Sequence, residues 1–154
     1  MKVLIVEDEF DKREKITSYL YSVFESSQLE IVESESLRSG LKTLLQVSDI
    51  DVVLLDMSMP GFDITSDEPG GGEPESYAGK ELMSQMRLRN IKIPVIVITQ
   101  YKKFKKENIS LEELTEEFQA QFPDFFMGTI HFSSAVEGWK KNLLDYLKKV
   151  QGLK

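Results

Sequence analysis

The sequence predicts an α/β fold, a doubly wound five-stranded parallel sheet with helices on both faces. Three observations carry this. Short apolar, β-branched runs alternate five times with stretches of helical periodicity. Three of the strand-like runs lack polar alternation, as strands covered on both faces should. The 154 residues are 41% hydrophobic, enough to build the core of one domain of ordinary size over residues 1–154.

Taken in order, Lys2–Val6 is a short apolar first strand. Residues 10–24 place Ile16, Leu20, Val23 and Phe24 at helical spacing. Residues 29–32 form a second strand, and Leu37, Leu41, Leu44 and Leu45 mark a second helix capped by Ser34 or Ser36. Residues 51–55 are a third strand, apolar without a break after Asp51. Residues 80–88 carry Leu82, Met83 and Met86 on one helical face, and 91–99 give a fourth strand entered through Pro94. Residues 110–122 open with a capping box of Ser110 and Glu113. Residues 127–132 are the fifth strand. A last helix at 136–150 turns Trp139, Leu143, Tyr146 and Leu147 inward. Parallel strands so connected have right-handed crossovers.

Composition removes several functions. There is no cysteine, hence no disulfide, thiolate metal site or thiol catalysis. A single histidine, His131, excludes multi-histidine zinc sites, and in a strand it reads as structural. The net charge of −7, from 26 acidic and 19 basic residues, speaks against nucleic acid as a partner, since a duplex binder needs a basic face. No run approaches the roughly 18 apolar residues of a bilayer span. The first apolar run ends in Glu7, Asp8 and Glu9, unlike a secretory signal. The expectation is a soluble, cytoplasmic protein without a membrane partner.

In an open parallel sheet, ligands sit beyond the carboxyl ends of the strands. The first strand ends in Glu7, Asp8 and Glu9, the third in Asp56 and the fourth in Thr99. These strands are neighbours in the predicted fold, so the side chains converge. Clustered carboxylates repel unless a cation or proton intervenes. An oxygen-only donor set favours Mg2+ or Ca2+, and few protein ligands with water suit Mg2+. A hydroxyl facing the acids suits a phosphoryl oxygen.

The stretches Lys2-Val3-Leu4-Ile5-Val6-Glu7-Asp8-Glu9, Asp51-Val52-Val53-Leu54-Leu55-Asp56-Met57-Ser58-Met59-Pro60-Gly61 and Ile93-Pro94-Val95-Ile96-Val97-Ile98-Thr99-Gln100-Tyr101 resemble a response-regulator receiver domain of the CheY-like, flavodoxin-like type. Gly79 to Leu82 resembles the start of that family's third helix, and Arg13 falls where its first helix often carries arginine. The resemblance covers residues 1–61 and 78–101 well and the C-terminal third in outline. It implies that Asp56 is the phosphoacceptor. Mg2+ would be held by Asp8 and Asp56, by Glu7 through water and by the backbone carbonyl of Ser58. It also implies that Thr99 contacts the phosphoryl group as a switch residue. Pro60 and Gly61 would shape the loop after Asp56, as they would any turn.

Three departures stand out. The family's fifth strand ends in a lysine that pairs with the phosphoryl group, whereas Phe132 or Ser133 stands there in this sequence. The loop at about 62–77 is an acidic, Gly/Pro-rich insertion. It has too little apolar surface to offset its ordering entropy, and its Gly70-Gly71-Gly72 run reads as flexible loop rather than phosphate cradle. The region at about 101–126 is expanded. Lys102, Lys103, Lys105 and Lys106 form a basic cluster around Phe104, either a solvated face or a dock for an acidic group. Gln100, Tyr101, Lys102 and Lys103 are candidates for the pocket rim. Lys102 or Lys103 is a candidate stand-in for the missing lysine, against the plainer expectation that no residue replaces it. Phe118, Phe122, Phe125 and Phe126 are either core or an exposed partner patch.

The resemblance implies a receiver of a two-component or phosphorelay pathway, not an enzyme with external turnover. Its donor would be a sensor histidine kinase or a phosphotransfer protein. Only residues 151–154 follow the last predicted helix, so its output would run through a downstream protein target. The alternative is a pseudo-receiver, a protein-binding module without the phosphorylation switch. A hydrolase with an aspartate nucleophile would want an acid two residues after Asp56, where Ser58 stands.

Overall fold

The computed structural model describes residues 1–57, 78–100, 103–104 and 109–152, with 103, 104 and 109 described through their backbone alone. The acidic loop at 62–77 lies outside the described residues.

The main sheet comprises β1 (Lys2–Val6), β2 (Glu30–Ser34), β3 (Val52–Leu55), β4 (Val95–Thr99) and β5 (Phe126–His131). All pairings are parallel, in the order β2-β1-β3-β4-β5. This is the CheY-like, flavodoxin-like arrangement that the sequence predicted. The connecting helices are α1 (Phe10–Val23), α2 (Leu37–Gln46), α3 (Ala78–Leu88), α4 (Leu111–Gln121) and α5 (Gly138–Gly152). The central strands β3 and β4 are buried at every position, while β5, at the sheet edge, alternates buried and half-buried residues. That contrast is the expected signature of strands covered on two faces beside one at an edge.

Side-chain alternation divides the core into two layers. Leu4, Val6, Val53, Leu55, Val95 and Val97 meet residues of α2, α3 and α4 on one face. Val3, Ile5, Val52, Leu54, Ile96 and Ile98 meet Ile16 and Leu20 of α1 and Leu143, Leu147 and Val150 of α5 on the other. Trp139 is part of this second layer.

Several boundaries differ from the sequence expectation for physical reasons. The fourth strand starts at Val95 rather than 91, because Pro94 has no N–H to donate to a ladder. The carbonyl of Pro94 still accepts from the Val53 amide at 2.9 Å. Ser36, not Ser34, caps α2. Its hydroxyl accepts from the Ser39 amide and the Ser39 hydroxyl accepts from its amide, each at 3.1 Å. Ser110 caps α4 through the Glu113 amide at 3.2 Å, but its hydroxyl donates to the Glu113 carboxylate, so only half of the expected box forms. Leu45 and Val23 face solvent. A two-residue antiparallel ladder between Lys103–Phe104 and Ile109–Ser110, too short to leave a periodic pattern, occupies part of the expanded region. The four phenylalanines of that region are core, not patch. Phe118, Phe122, Phe125 and Phe126 are all buried, and Phe118 meets Phe126 edge-on at 5.5 Å between centroids.

Candidate functional site

The parallel register sets Val6 beside Leu55 and Leu55 beside Val97, so the next residues emerge together at the carboxyl edge. From β1 come Glu7 and Asp8, and from β3 comes Asp56. One carboxylate oxygen of each lies within 4.8 Å of the others. Glu7 and Asp56 are buried and Asp8 is exposed. Thr99, the last residue of β4, is fully buried at the same edge.

The sequence reading missed the central residue of this cluster. Lys12, in the first turn of α1, extends into it with its side chain 1% exposed. Its ammonium lies 2.6 Å from Glu7 Oε2 and 3.2 Å from Asp56 Oδ1, and donates to the Ile98 carbonyl at 2.7 Å. The contact with Glu7 Oε2, a fully buried atom, is an ion pair by distance without hydrogen-bond alignment. The ring of Phe132 stands 5.8 Å from the ammonium, within cation–π range. A signal was present in the sequence. Lys12, Ile16 and Leu20 recur every four residues, which puts Lys12 on the buried stripe of α1.

Burial and charge pull against each other here. Burial raises the Glu7 carboxyl, to about 8 from its ordinary 4.5, although the Lys12 charge opposes it and the Asp56 charge assists. Asp56 is likewise raised by burial, again against Lys12. Burial alone would depress Lys12, yet the charges of Asp56 and Glu7 reverse this and leave it raised.

Neighbouring residues hold the cluster in place. The Arg13 guanidinium donates to the Glu7 carbonyl at 2.7 Å and to Glu35 at 3.0 Å, fixing the loop after β1. The Glu9 amide donates to Glu7 Oε1 at 3.0 Å. Gln100, an expected rim residue, donates to Glu9 Oε2 at 3.2 Å and its carbonyl meets His131 Nε2 at 3.1 Å. Ser58, Tyr101 and Lys102 lie outside the described residues, as does the side chain of Lys103. The donor set fits a hard divalent cation: all ligand atoms are carboxylate oxygens, and the three acids outnumber the one ammonium set among them.

No family model matches the chain. It is 29% identical over 155 residues to the Detocs response regulatory protein DtcB of Enterobacter cloacae, covering 99% of this chain and 100% of that one. Its fold is similar to the receiver domain of the Francisella response regulator 1452, with a TM-score of 0.61, 18% identity and coverage of 99% and 98% of the two chains. It is also similar to the response regulator TrrA of Thermotoga maritima in complex with Mg2+ and BeF, with a TM-score of 0.58, 20% identity and 97% of each chain covered. Over its whole length the chain is similar to a response regulatory protein, and its fold is that of the CheY-like receiver domains, the signalling modules of two-component systems. Such domains are generally non-enzymatic. No described helix is long and apolar enough to cross a membrane.

Proposed function

We propose that the chain works as one receiver domain that accepts a phosphoryl group on Asp56 from a sensor histidine kinase or phosphotransfer protein and signals through a protein partner. The convergence of Asp56 with Glu7 and Asp8 at adjacent strand ends carries this reading, their ligand oxygens lying within 4.8 Å of one another. The Mg2+ and BeF held by TrrA support it from a related fold. In the transfer, an Asp56 carboxylate oxygen attacks phosphorus and forms the O–P bond. The P–N bond of a phosphohistidine donor breaks, and the imidazole nitrogen keeps the electron pair. Asp8 and Asp56, with Glu7 through water, would hold Mg2+, which when bound neutralises charge on the phosphoryl oxygens. The backbone carbonyl of Ser58 would complete the protein ligands, and the Thr99 hydroxyl would meet the phosphoryl group.

The test is intact mass after incubation with Mg2+ and acetyl phosphate. Wild type should gain about 80 Da, the mass of one phosphoryl group on the nucleophile, and Asp56→Asn should gain nothing. The pseudo-receiver reading draws on one observation, that Asp56 is already ion-paired to Lys12 at 3.2 Å. It wins if wild type takes no adduct at any Mg2+ concentration.

A further inference from the structure

We infer that Lys12 is the cation that pairs with the phosphoryl group on Asp56, delivered from the first turn of α1 and not from a strand end. This rests on the phosphoacceptor reading above and goes beyond it by assigning the group that meets the transferred charge.

Four observations lead here. Among the described residues, the salt bridge of Asp56 is made by Lys12, at 3.2 Å. The ammonium is buried and held from several sides, by Glu7 Oε2, the Ile98 carbonyl and the face of Phe132, so its position is built rather than incidental. Phe132 is the residue that directly follows β5, and its amide donates to the Thr99 carbonyl at 2.8 Å. The end of β5 therefore presents a ring to the pocket, and the charge absent from that strand end arrives across the ring from α1. Finally, burying an ammonium is costly unless its partners are ionic and well placed, and an apolar residue would pack the same stripe of α1 without that cost.

The transfer puts about −1.5 to −2 charges where Asp56 carried one. No proton has to move for Lys12 to respond. The ammonium keeps all three protons, and its flexible stem lets it redirect one N–H from the Asp56 oxygen to an oxygen on the phosphorus that Asp56 now carries. With acetyl phosphate as donor, the Asp56 oxygen–phosphorus bond forms, the phosphorus–acetate oxygen bond breaks, and acetate leaves with the electron pair.

The experiment compares wild type, Lys12→Met and Lys12→Arg in Mg2+ and acetyl phosphate by intact mass over time, with Mg2+ affinity measured separately by calorimetry. Lys12→Met should form the adduct at least about tenfold more slowly, as loss of a charged donor at a transferring group predicts. Its Mg2+ affinity should hold or rise, because a competing cation has gone, and Lys12→Arg should recover part of the rate. A lysine that only supported the fold would lower both measurements together. Because Lys12→Met removes a buried charge, a second measurement uses wild type alone. The ammonium protons of Lys12, followed by nitrogen-15 NMR, should shift when beryllofluoride and Mg2+ are added. Adduct kinetics in Lys12→Met equal to wild type, or an unmoved Lys12 signal, overturn the assignment. A wild type that takes no adduct overturns the phosphoacceptor reading as well, so the two failures are told apart by the wild-type result.

Discussion

Gly79 rests on the backbone of Asp56. A Cβ built at Gly79 would stand 2.7 Å from the Asp56 carbonyl oxygen and 2.9 Å from Met57 Sδ, so the first turn of α3 approaches the candidate phosphoacceptor more closely than any side chain allows. The Gly79 amide also donates to the Met57 carbonyl at 3.2 Å. Gly79→Ala should lower stability by about 1–3 kcal/mol, the usual cost of overpacking, read from urea unfolding. It should also weaken Mg2+ binding by displacing Asp56. Unchanged unfolding would mean that α3 can shift away without loss.

Mg2+ should stabilise the protein by relieving repulsion among Glu7, Asp8 and Asp56, which Lys12 relieves only in part. At about 100 times its dissociation constant the ion adds roughly 2.7 kcal/mol, or roughly 5–10 °C in Tm for a chain of this size. Asp8→Asn should abolish most of that increment while leaving the metal-free protein as stable as wild type or slightly more so. Thermal melts with and without the ion decide it.

In metal-free protein, stability should fall as pH rises between about 4.5 and 8. The folded state raises Glu7 from 4.5 to about 8, so it binds that proton more tightly than the unfolded chain across this window. The unfolded state then holds fewer protons, and the slope is negative, at most about 1.4 kcal/mol per pH unit from one group. Asp56, also raised by burial, adds a slope of the same sign beginning near its ordinary 3.8. Glu7→Gln should flatten the upper part of the curve. A wild-type curve already flat from pH 5 to 8 in EDTA would contradict the burial argument for Glu7.

Gly128 on β5 lies under Tyr146 of α5, where a Cβ would come within 2.1 Å of the phenol oxygen. Gly128→Ala should cost about 1–3 kcal/mol through displacement of that ring. Tyr146→Ala should relieve much of the penalty, so a double-mutant cycle should return a coupling on the order of 1 kcal/mol. Additive effects would mean that the ring and the strand do not press on one another.

The strands and helices were legible because each carries its own period, unbroken in β3 and β4 and close to 3.6 residues in the helices. The strand ends then followed from topology, which is why Glu7, Asp8, Asp56 and Thr99 could be named together. Lys12 was overlooked because lysine is ordinarily solvated, and a charge on an apolar stripe is easily taken for an exposed neighbour. The ambiguity of Phe118 and Phe122 has a similar root: core and partner patch share one periodicity. Only the packing of α4 on β5, through rings such as Phe118 and Phe126, separates them.

Lys12 also bears on how the chain avoids misassembly. One ammonium engages the residue after β1, the residue after β3 and a carbonyl within β4. A slip of any one of these strands by a single residue would turn its side chains to the opposite face of the sheet. Slipping β1 or β3 would carry a carboxylate away from Lys12, and the ammonium would be left buried against fewer partners, a strongly unfavourable arrangement. Three nearly uniform apolar strands have little in their own patterns to forbid such slippage. The polar knot at their ends supplies a selection among alignments that hydrophobic burial cannot, so the chemistry of the pocket and the fidelity of folding are tied to the same side chain.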